Sequence, residues 1–349
     1  MAYNMEHLTK LFKDELILCG VKPGERIVIA GQAESRPGYK EAFIAAASAL
    51  GATPLYIEFP GTRHADLPFP GRELLTIDKY ISENPSAMDS MKNADLVVDI
   101  TAEGLVHTKA RKITLDGGAR MLMVWEPPDV LERIFPRESL RKRCEIGGNM
   151  LRKAKTMRVV SAAGTDITVA MGDNVPVVEQ YGYTDKPGRW DHFAGGFTAF
   201  YPVDGSPQGQ IVLDIGDIIL PLNRYVSSPV HITIEKGRIA GVRGEGLDAF
   251  LFKQYLQSWN DPEVFYTSHF GFGLDENALW ESMAFYGNNT YGMEARAFAG
   301  NFMWSTGPNA YVGRHTKCHY DIPMRNCTVY LDDQMIIDSG RIIEPSLIP

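Results

Sequence analysis

Two residues near the carboxyl end of the chain have the type and spacing to share a metal ion. His319 and Asp321 form a His-x-Asp pair in the apolar segment Cys318-His-Tyr-Asp-Ile-Pro323. On a strand, side chains two residues apart point to the same face, with backbones roughly 6–7 Å apart. A third candidate, His269, lies in a glycine-punctuated apolar segment, and glycines there permit close approach of the backbone to a bound group.

Two histidines and one carboxylate leave three positions open on an octahedral iron, and oxygenases use such positions for substrate and O2. Spacing alone leaves another interpretation open, with His269 as a hydrogen-bonded core histidine and His319 and Asp321 as a structural pair. The same residue types also hold zinc. The sequence has no HExxH motif of a zinc protease and no GxSxG motif of a serine hydrolase. It also has no Walker loop and no GxGxxG after a strand, the motifs that bind nucleotides.

The elements that must position these residues change character along the chain. The first part alternates helix and strand, as in the helix His7–Cys19, the strand Arg26–Gly31 and the helix Tyr39–Leu50. This alternation predicts a mostly parallel sheet with helical crossovers. After a long helix, Arg137–Lys155, apolar and polar residues alternate across turn residues, which indicates antiparallel hairpins. One further helix, Leu247–Trp259, interrupts these hairpins.

The predicted architecture is therefore an N-terminal α/β domain, residues 1–150, followed by a strand-rich α+β domain, residues 151–349, that carries the candidate metal ligands. The length of 349 residues suits two domains. We place the boundary near residue 150.

Composition excludes several classes of partner. The net charge of −8 argues against nucleic acid, since phosphate binding needs clustered Lys and Arg. No apolar run approaches the ~20 residues that span a bilayer. The four cysteines are few and have no CxxC spacing, which is typical of a reduced cytoplasmic protein.

Several blocks of sequence together resemble one family. They are Gly182-Tyr-Thr-Asp-Lys-Pro-Gly-Arg-Trp-Asp-His192, Leu213-Asp-Ile-Gly-Asp-Ile-Ile-Leu-Pro221, Ser268-His-Phe-Gly-Phe-Gly273, Ala295-Arg-Ala-Phe298, Gly300-Asn-Phe-Met-Trp-Ser-Thr-Gly-Pro-Asn309 and Cys318-His-Tyr-Asp-Ile-Pro-Met-Arg-Asn-Cys327. This set resembles the 2,5-dihydroxypyridine 5,6-dioxygenases, which open a pyridine ring in bacterial nicotinate breakdown. The match spans nearly the whole chain and is densest from about residue 176 to 335.

The resemblance implies an M29 aminopeptidase-like fold and a mononuclear Fe(II) centre held by His269, His319 and Asp321. It also implies a ring opening with O2 that gives an N-formylmaleamate-type product. The peptidases carry a glutamate where this chain has His269, and they need further ligands for a second metal. The stretch 300–307 has no His, Asp or Glu, which favours one metal over two.

Further residues take roles from the same resemblance. His192 and His107 match family histidines that handle protons. Such a group is useful because the ring hydroxyl must lose a proton as it meets the metal. For His107 the alternative is a surface position in a loop. The family has an acidic residue directly before Tyr-Gly-Tyr, where this chain has Gln180. An amide at this catalytic position cannot take up a proton, so either His192 alone handles the proton or the preferred ring carries different substituents. The expected substrate is 2,5-dihydroxypyridine or a close analogue.

Three polar residues between the candidate ligands are candidates for binding the ring oxygens: Ser305, Thr306 and Asn309. Structural turn positions are the alternative for all three. Related proteins are oligomers, so a homo-oligomer is expected.

Two other functions remain open from the sequence. One is a metal-dependent hydrolase of the M29 type, in which Zn or Mn activates water. The other is a binding protein that kept the fold without turnover.

Overall fold

The structure is a computed structural model that describes residues 4–61 and 76–349. The described residues form two compact units. The first contains residues 4–61, 76–136 and 181–195, and the second contains residues 137–180 and 196–349. Every helix in the described part of the chain is too short or too polar to span a bilayer.

The helices are α1 (Met5–Leu18), α2 (Tyr39–Ala49), α3 (Thr76–Ser82), α4 (Pro85–Lys92), α5 (Lys109–Asp116), α6 (Pro128–Arg133), α7 (Glu138–Lys153), α8 (Leu247–Ser258), α9 (Ser282–Tyr286) and α10 (Met293–Ala297). Short 3-10 helices cover Leu220–Leu222, Pro262–Phe265, Gly287–Asn289 and Ala310–Val312.

The strands are β1 (Arg26–Gln32), β2 (Thr53–Phe59), β3 (Leu96–Asp99), β4 (Arg120–Val124), β5 (Thr156–Ser161), β6 (Asp166–Ala170), β7 (Val177–Gln180), β8 (Trp190–Phe193), β9 (Phe197–Phe200), β10 (Gln208–Leu213), β11 (Ile218–Ile219), β12 (Arg224–Tyr225), β13 (Val230–Glu235), β14 (Arg238–Arg243), β15 (Thr267–Gly273), β16 (Phe302–Thr306), β17 (Tyr320–Met324), β18 (Cys327–Leu331), β19 (Gln334–Asp338) and β20 (Arg341–Ile342).

The first unit is built on a parallel sheet with strand order β2-β1-β3-β4-β8. Helix α1 begins after Asn4, whose side chain accepts hydrogen bonds from two backbone N–H groups of the first turn. Its apolar face, with Leu8, Phe12 and Leu16, is buried, as the spacing of these residues predicts. The predicted parallel α/β arrangement is therefore confirmed.

The fifth strand of this sheet comes from a distant part of the sequence. Strand β8 pairs parallel with β4, with Met121 opposite Trp190 and Met123 opposite His192. Residues 181–195 therefore belong to the first unit, although they follow β5, β6 and β7 of the second. Long helix α7 also belongs to the second unit, whereas the sequence placed a single boundary near residue 150.

The second unit contains two larger antiparallel sheets, which confirms the strand-rich α+β prediction. The eight-stranded sheet has the order β14-β13-β10-β6-β5-β18-β19-β20. Its hairpin turns contain residues with positive φ, namely Gly164, Lys236, Asp332 and Ser339. The five-stranded sheet has the order β17-β16-β15-β9-β7. It carries His269 on β15 and Asp321 on β17, and His319 immediately precedes β17.

Two adjacent glycines in the middle of α7 let this helix lie close against the five-stranded sheet. A Cβ atom on Gly148 would lie 2.1 Å from Oε1 of Glu179, and one on Gly147 would lie 3.0 Å from Cγ2 of Thr198. Because a Gly in a helix interior costs about 1 kcal/mol relative to Ala, close packing explains their presence better than helix propensity does.

Candidate metal centre

His269 projects from an irregular point of β15. The pairing of β15 with β16 shifts register between Thr267 and Phe270. Within this shift, two residues of β15, Ser268 and His269, lie opposite Ser305 alone. Such a bulge bends a strand and re-aims a side chain. The hydroxyl of Ser305 accepts a hydrogen bond from the backbone N–H of His269 at 2.9 Å, and this contact holds the bulge in place.

The His-x-Asp pair lies at the start of β17, on the other side of β16. Asp321 is opposite Ser305 in the register of these two strands, while His319 immediately precedes the strand. The imidazole Nδ1 of His319 lies 2.9 Å from the carbonyl oxygen of Thr306. As the carbonyl can only accept, Nδ1 donates, and the lone pair remains on Nε2 for a metal.

These three side chains converge. One ligand atom from each of His269, His319 and Asp321 lies within 4.8 Å of the others, and all three residues are buried. Oδ1 of Asp321 is 3.2 Å from Nε2 of His269 and 3.4 Å from Nε2 of His319. Across residues 4–61 and 76–349, no other group of three or more His, Cys, Asp or Glu side chains converges in this way. One metal ion fits this arrangement.

The electrostatics of the cluster favour the protonation states that bind a cation. Burial lowers the pKa of His269 below 6.5 and outweighs the opposing effect of Asp321. Burial would raise the pKa of Asp321, but the guanidinium of Arg296 and the two imidazoles hold that pKa well below 3.8. At neutral pH His269 is therefore neutral and Asp321 is charged, as metal ligation requires.

Unsatisfied buried atoms provide a test of fit to a metal ion. Oδ1 of Asp321 and Nδ1 of His269 are buried, and in the described part of the chain neither has a partner in normal hydrogen-bond geometry. Buried polar atoms of native proteins almost always have a partner, so each exception needs an explanation. A cation bound at the convergence point satisfies Oδ1 of Asp321, and the donor set fits it.

The three polar residues predicted to bind substrate lie near the cluster in sequence but have different surroundings. Ser305 exchanges hydrogen bonds with the backbone of His269. The carbonyl of Thr306 accepts from the ring of His319, while its hydroxyl is buried without a described partner. The side chain of Asn309 accepts from the backbone N–H of Tyr311 at 3.1 Å and caps a 3-10 turn.

Gln180 is buried at the end of β7, which pairs through β9 with the far end of β15, at Gly273. Strand geometry puts its backbone roughly 13 Å along the sheet and about 10 Å across it from His269. The neighbouring Glu179 forms an ion pair with Arg152 at 2.5 Å, on the side of helix α7.

The two histidines predicted to handle protons both belong to the first unit. His192 is buried in β8, with ring centroids 4.9 Å from Trp125 and 5.2 Å from Trp190. His107 is half-buried in the loop after β3. The carboxylate of Asp99 fixes that loop by accepting from the backbone N–H of Leu105 at 2.7 Å.

Sequence reasoning missed Arg296 as a member of the site. Its Nε lies 2.5 Å from Oδ2 of Asp321, and the residue is 6% exposed. The signal in the sequence was weak: a single arginine between Ala295 and Ala297, in an otherwise small and apolar stretch.

The fold first defines a broad structural class. The structure of AmpT, an M29 aminopeptidase from Thermus thermophilus, superimposes with a TM-score of 0.59 over 97% of this chain and 99% of that chain, at 11% identity. At this identity the likeness concerns the fold alone, and it confirms the predicted fold class.

The sequence comparisons then define the family. A family model described as 2,5-dihydroxypyridine 5,6-dioxygenase matches residues 7–344. A 2,5-dihydroxypyridine 5,6-dioxygenase of Pseudomonas putida KT2440 is 38% identical over 99% of this chain and 98% of that protein. The solved structure of 2,5-dihydroxypyridine dioxygenase from the same organism has a TM-score of 0.92 and 37% identity, with 99% of each chain covered. The chain belongs to the 2,5-dihydroxypyridine 5,6-dioxygenase family, as its sequence motifs predict.

Proposed function

We propose that this protein is an Fe(II)-dependent dioxygenase that opens the ring of a dihydroxypyridine with O2. The observation that carries the proposal is the convergence of His269, His319 and Asp321 in a member of this family. The set contains neutral imidazoles and one carboxylate, the donors that suit iron in oxygenases. When bound, Fe(II) supplies open coordination positions for the substrate oxygen and O2.

The residues of the chain prepare these donors. Thr306 fixes the tautomer of His319 through its carbonyl oxygen, so that the lone pair is on Nε2, the proposed ligand atom. Ser305 fixes the backbone of His269. Burial keeps His269 unprotonated, and burial of the whole cluster excludes bulk water from the donors.

Proton transfer is the second part of the proposal. A ring hydroxyl must lose its proton as the ring becomes electron-rich enough to react, and a histidine near neutral pKa suits this task. We assign this role to His192, with His107 as a second group that holds or orients the ring hydroxyl. The resemblance of the segments around both residues to family histidines supports these assignments.

The identity of the ring is the third part. Gln180 stands where the family has an acidic residue, and an amide cannot accept a proton. We therefore propose that the preferred substrate is a close relative of 2,5-dihydroxypyridine with a different oxygenation pattern. Turnover of a series of dihydroxypyridines and trihydroxypyridines tests this, alone and with Gln180→Glu. Best turnover on the 2,5-isomer by the unmodified protein refutes it.

The setting of the enzyme is also proposed. The sequence has only four cysteines and no CxxC spacing, which supports a reduced, cytoplasmic location. A homo-oligomer is proposed from the behaviour of related proteins, and light scattering in solution tests it.

The decisive experiment is O2 uptake after anaerobic loading with Fe(II). We expect O2 consumption in step with loss of ring absorbance, and a rate at least about 100-fold lower for His269→Ala. His231→Ala is the matched control, because His231 is an exposed histidine on β13, and its rate should be unchanged. Amide cleavage without O2 by the Zn or Mn form would support the M29-type hydrolase instead. Failure to bind any metal would support the binding protein.

A further inference from the structure

Arg296 brings a buried positive charge to the candidate metal centre. Its Nε donates to Oδ2 of Asp321 at 2.5 Å, and its Nη1 donates to the carbonyl oxygen of Tyr291 at 2.7 Å. The residue is 6% exposed. The guanidinium is therefore buried and contacts a predicted metal ligand, so this contact is not a surface ion pair.

The two oxygens of Asp321 have different partners. Oδ2 faces the guanidinium of Arg296, while Oδ1 faces Nε2 of both His269 and His319. If both oxygens bound one metal ion, Oδ2 would face the metal ion and the guanidinium at the same time. Two positive charges would then compete for the electron density of one buried oxygen, which disfavours binding of the metal through Oδ2.

The backbone around Arg296 is fixed to the strand that carries His269. The side-chain amide of Asn301 donates to the carbonyl oxygens of Ala295 and Arg296, at 2.6 and 3.1 Å. The amide oxygen of Asn301 accepts from the backbone N–H of Gly273 at 2.6 Å. Helix α10 and β15 are thus joined by one buried side chain, which defines the position of the guanidinium relative to the cluster.

We propose that Arg296 is a positioning residue that restricts Asp321 to ligation through Oδ1 and so keeps one more coordination position available for substrate or O2. An octahedral ion with two imidazoles and one carboxylate oxygen has three open positions, whereas a carboxylate bound through both oxygens leaves two. A ring-opening oxygenase needs room for the ring oxygen and O2 together. The proposal rests on the metal centre proposed above.

The test compares Arg296→Gln, which removes the charge, with Arg296→Lys, which retains it. The probe is Co(II), whose binding and visible spectrum are measured without turnover. Anaerobic crystal structures of the Co(II) forms then show how many oxygens of Asp321 bind. Arg143→Gln is the matched control, since Arg143 is also a buried arginine of the second unit paired with a carboxylate, that of Glu276.

We expect a single bound oxygen in the unmodified protein and in Arg296→Lys. In Arg296→Gln we expect both oxygens to bind, with Co(II) affinity about tenfold higher because a repelling charge is gone, and azide affinity of the Co(II) form about tenfold lower because one position is filled. The Arg143→Gln control should leave both affinities within about threefold of the unmodified protein.

Two results overturn the proposal. One is ligation by both oxygens in the unmodified protein, which is informative even if Arg296→Gln does not fold. The other is single-oxygen ligation in Arg296→Gln, with reduced Co(II) affinity, as expected for a purely structural ion pair. Absence of any Co(II) binding by the unmodified protein contradicts the proposed metal centre itself, so the two failures can be told apart.

Discussion

Gly307 offers a sharp test of how the sheet positions His319. This residue directly follows Thr306 and has φ of +107°, a conformation that side chains rarely adopt. A Cβ atom on Gly307 would lie 2.1 Å from the carbonyl oxygen of Cys318 and 3.1 Å from Cα of His319. Ordinary contacts begin near 3.4 Å, so the Gly307→Ala variant must move one of the two backbones by more than about 1 Å.

The expected cost has two parts. Holding a non-glycine residue in this conformation costs on the order of 1–3 kcal/mol. The displaced backbone also disturbs the hydrogen bond from the ring of His319 to Thr306, and loss of such a partner lowers metal affinity about 10–100-fold. We therefore expect Gly307→Ala to lower the free energy of unfolding by about 2–4 kcal/mol and to weaken Fe(II) or Co(II) binding at least about tenfold.

Urea unfolding of the metal-free protein and metal titration by chelator competition measure the two effects separately. Gly313→Ala is the control, because Gly313 lies in the same loop with φ of +71° but has no atom within 4 Å of an added Cβ. It should lose about 1 kcal/mol of stability and no metal affinity. If Gly307→Ala folds and binds metal as tightly as the Gly313→Ala control, the positioning of His319 by this close approach is refuted.

Three further predictions concern stability and the centre. Burial raises the pKa of Asp217 from 3.8 to about 7. The native state therefore keeps this proton to a higher pH than the unfolded state, and the free energy of unfolding falls by about 4 kcal/mol between pH 4 and 7. Urea unfolding of Asp217→Asn should lack this pH dependence, and an unchanged dependence contradicts its origin in Asp217. Ser305→Ala removes the acceptor of the His269 backbone N–H, so metal affinity should fall about 10–100-fold and the free energy of unfolding should fall by about 1–3 kcal/mol. Unchanged metal affinity in a chelator competition would contradict this positioning role of Ser305. Fe(II) at about 100 times its dissociation constant should stabilise the protein against urea by about 2.7 kcal/mol, and the same addition should not stabilise His269→Ala.

The parts of the fold that local patterns determine were predictable. The apolar face of α1, the buried strand β1 and the hairpin turns each depend on residues close together in sequence, so periodicity and turn residues indicate them. The His-x-Asp pair was predictable for the same reason, because two residues apart on a strand means one face.

The parts that depend on distant pairing were not predictable. Nothing near His192 indicates that β8 joins β4 of the parallel sheet, since that pairing is set by packing of the whole first unit. The bulge at His269 depends on β16, more than 30 residues later. Arg296 gave no chemical signal, because its role arises only from contact with Asp321 in the folded chain.

The middle strand β16 explains how ligands distant in sequence reach one point. It supplies no predicted ligand, yet Ser305 holds the backbone of His269 and Thr306 holds the ring of His319. Asp321 lies opposite Ser305 in register, so a slip of one residue between β16 and β17 would turn its carboxylate to the other face of the sheet. Strand register therefore sets the ligand geometry more tightly than a loop does, and substitutions on β16 should affect metal binding although the strand itself donates no ligand atom to the proposed set.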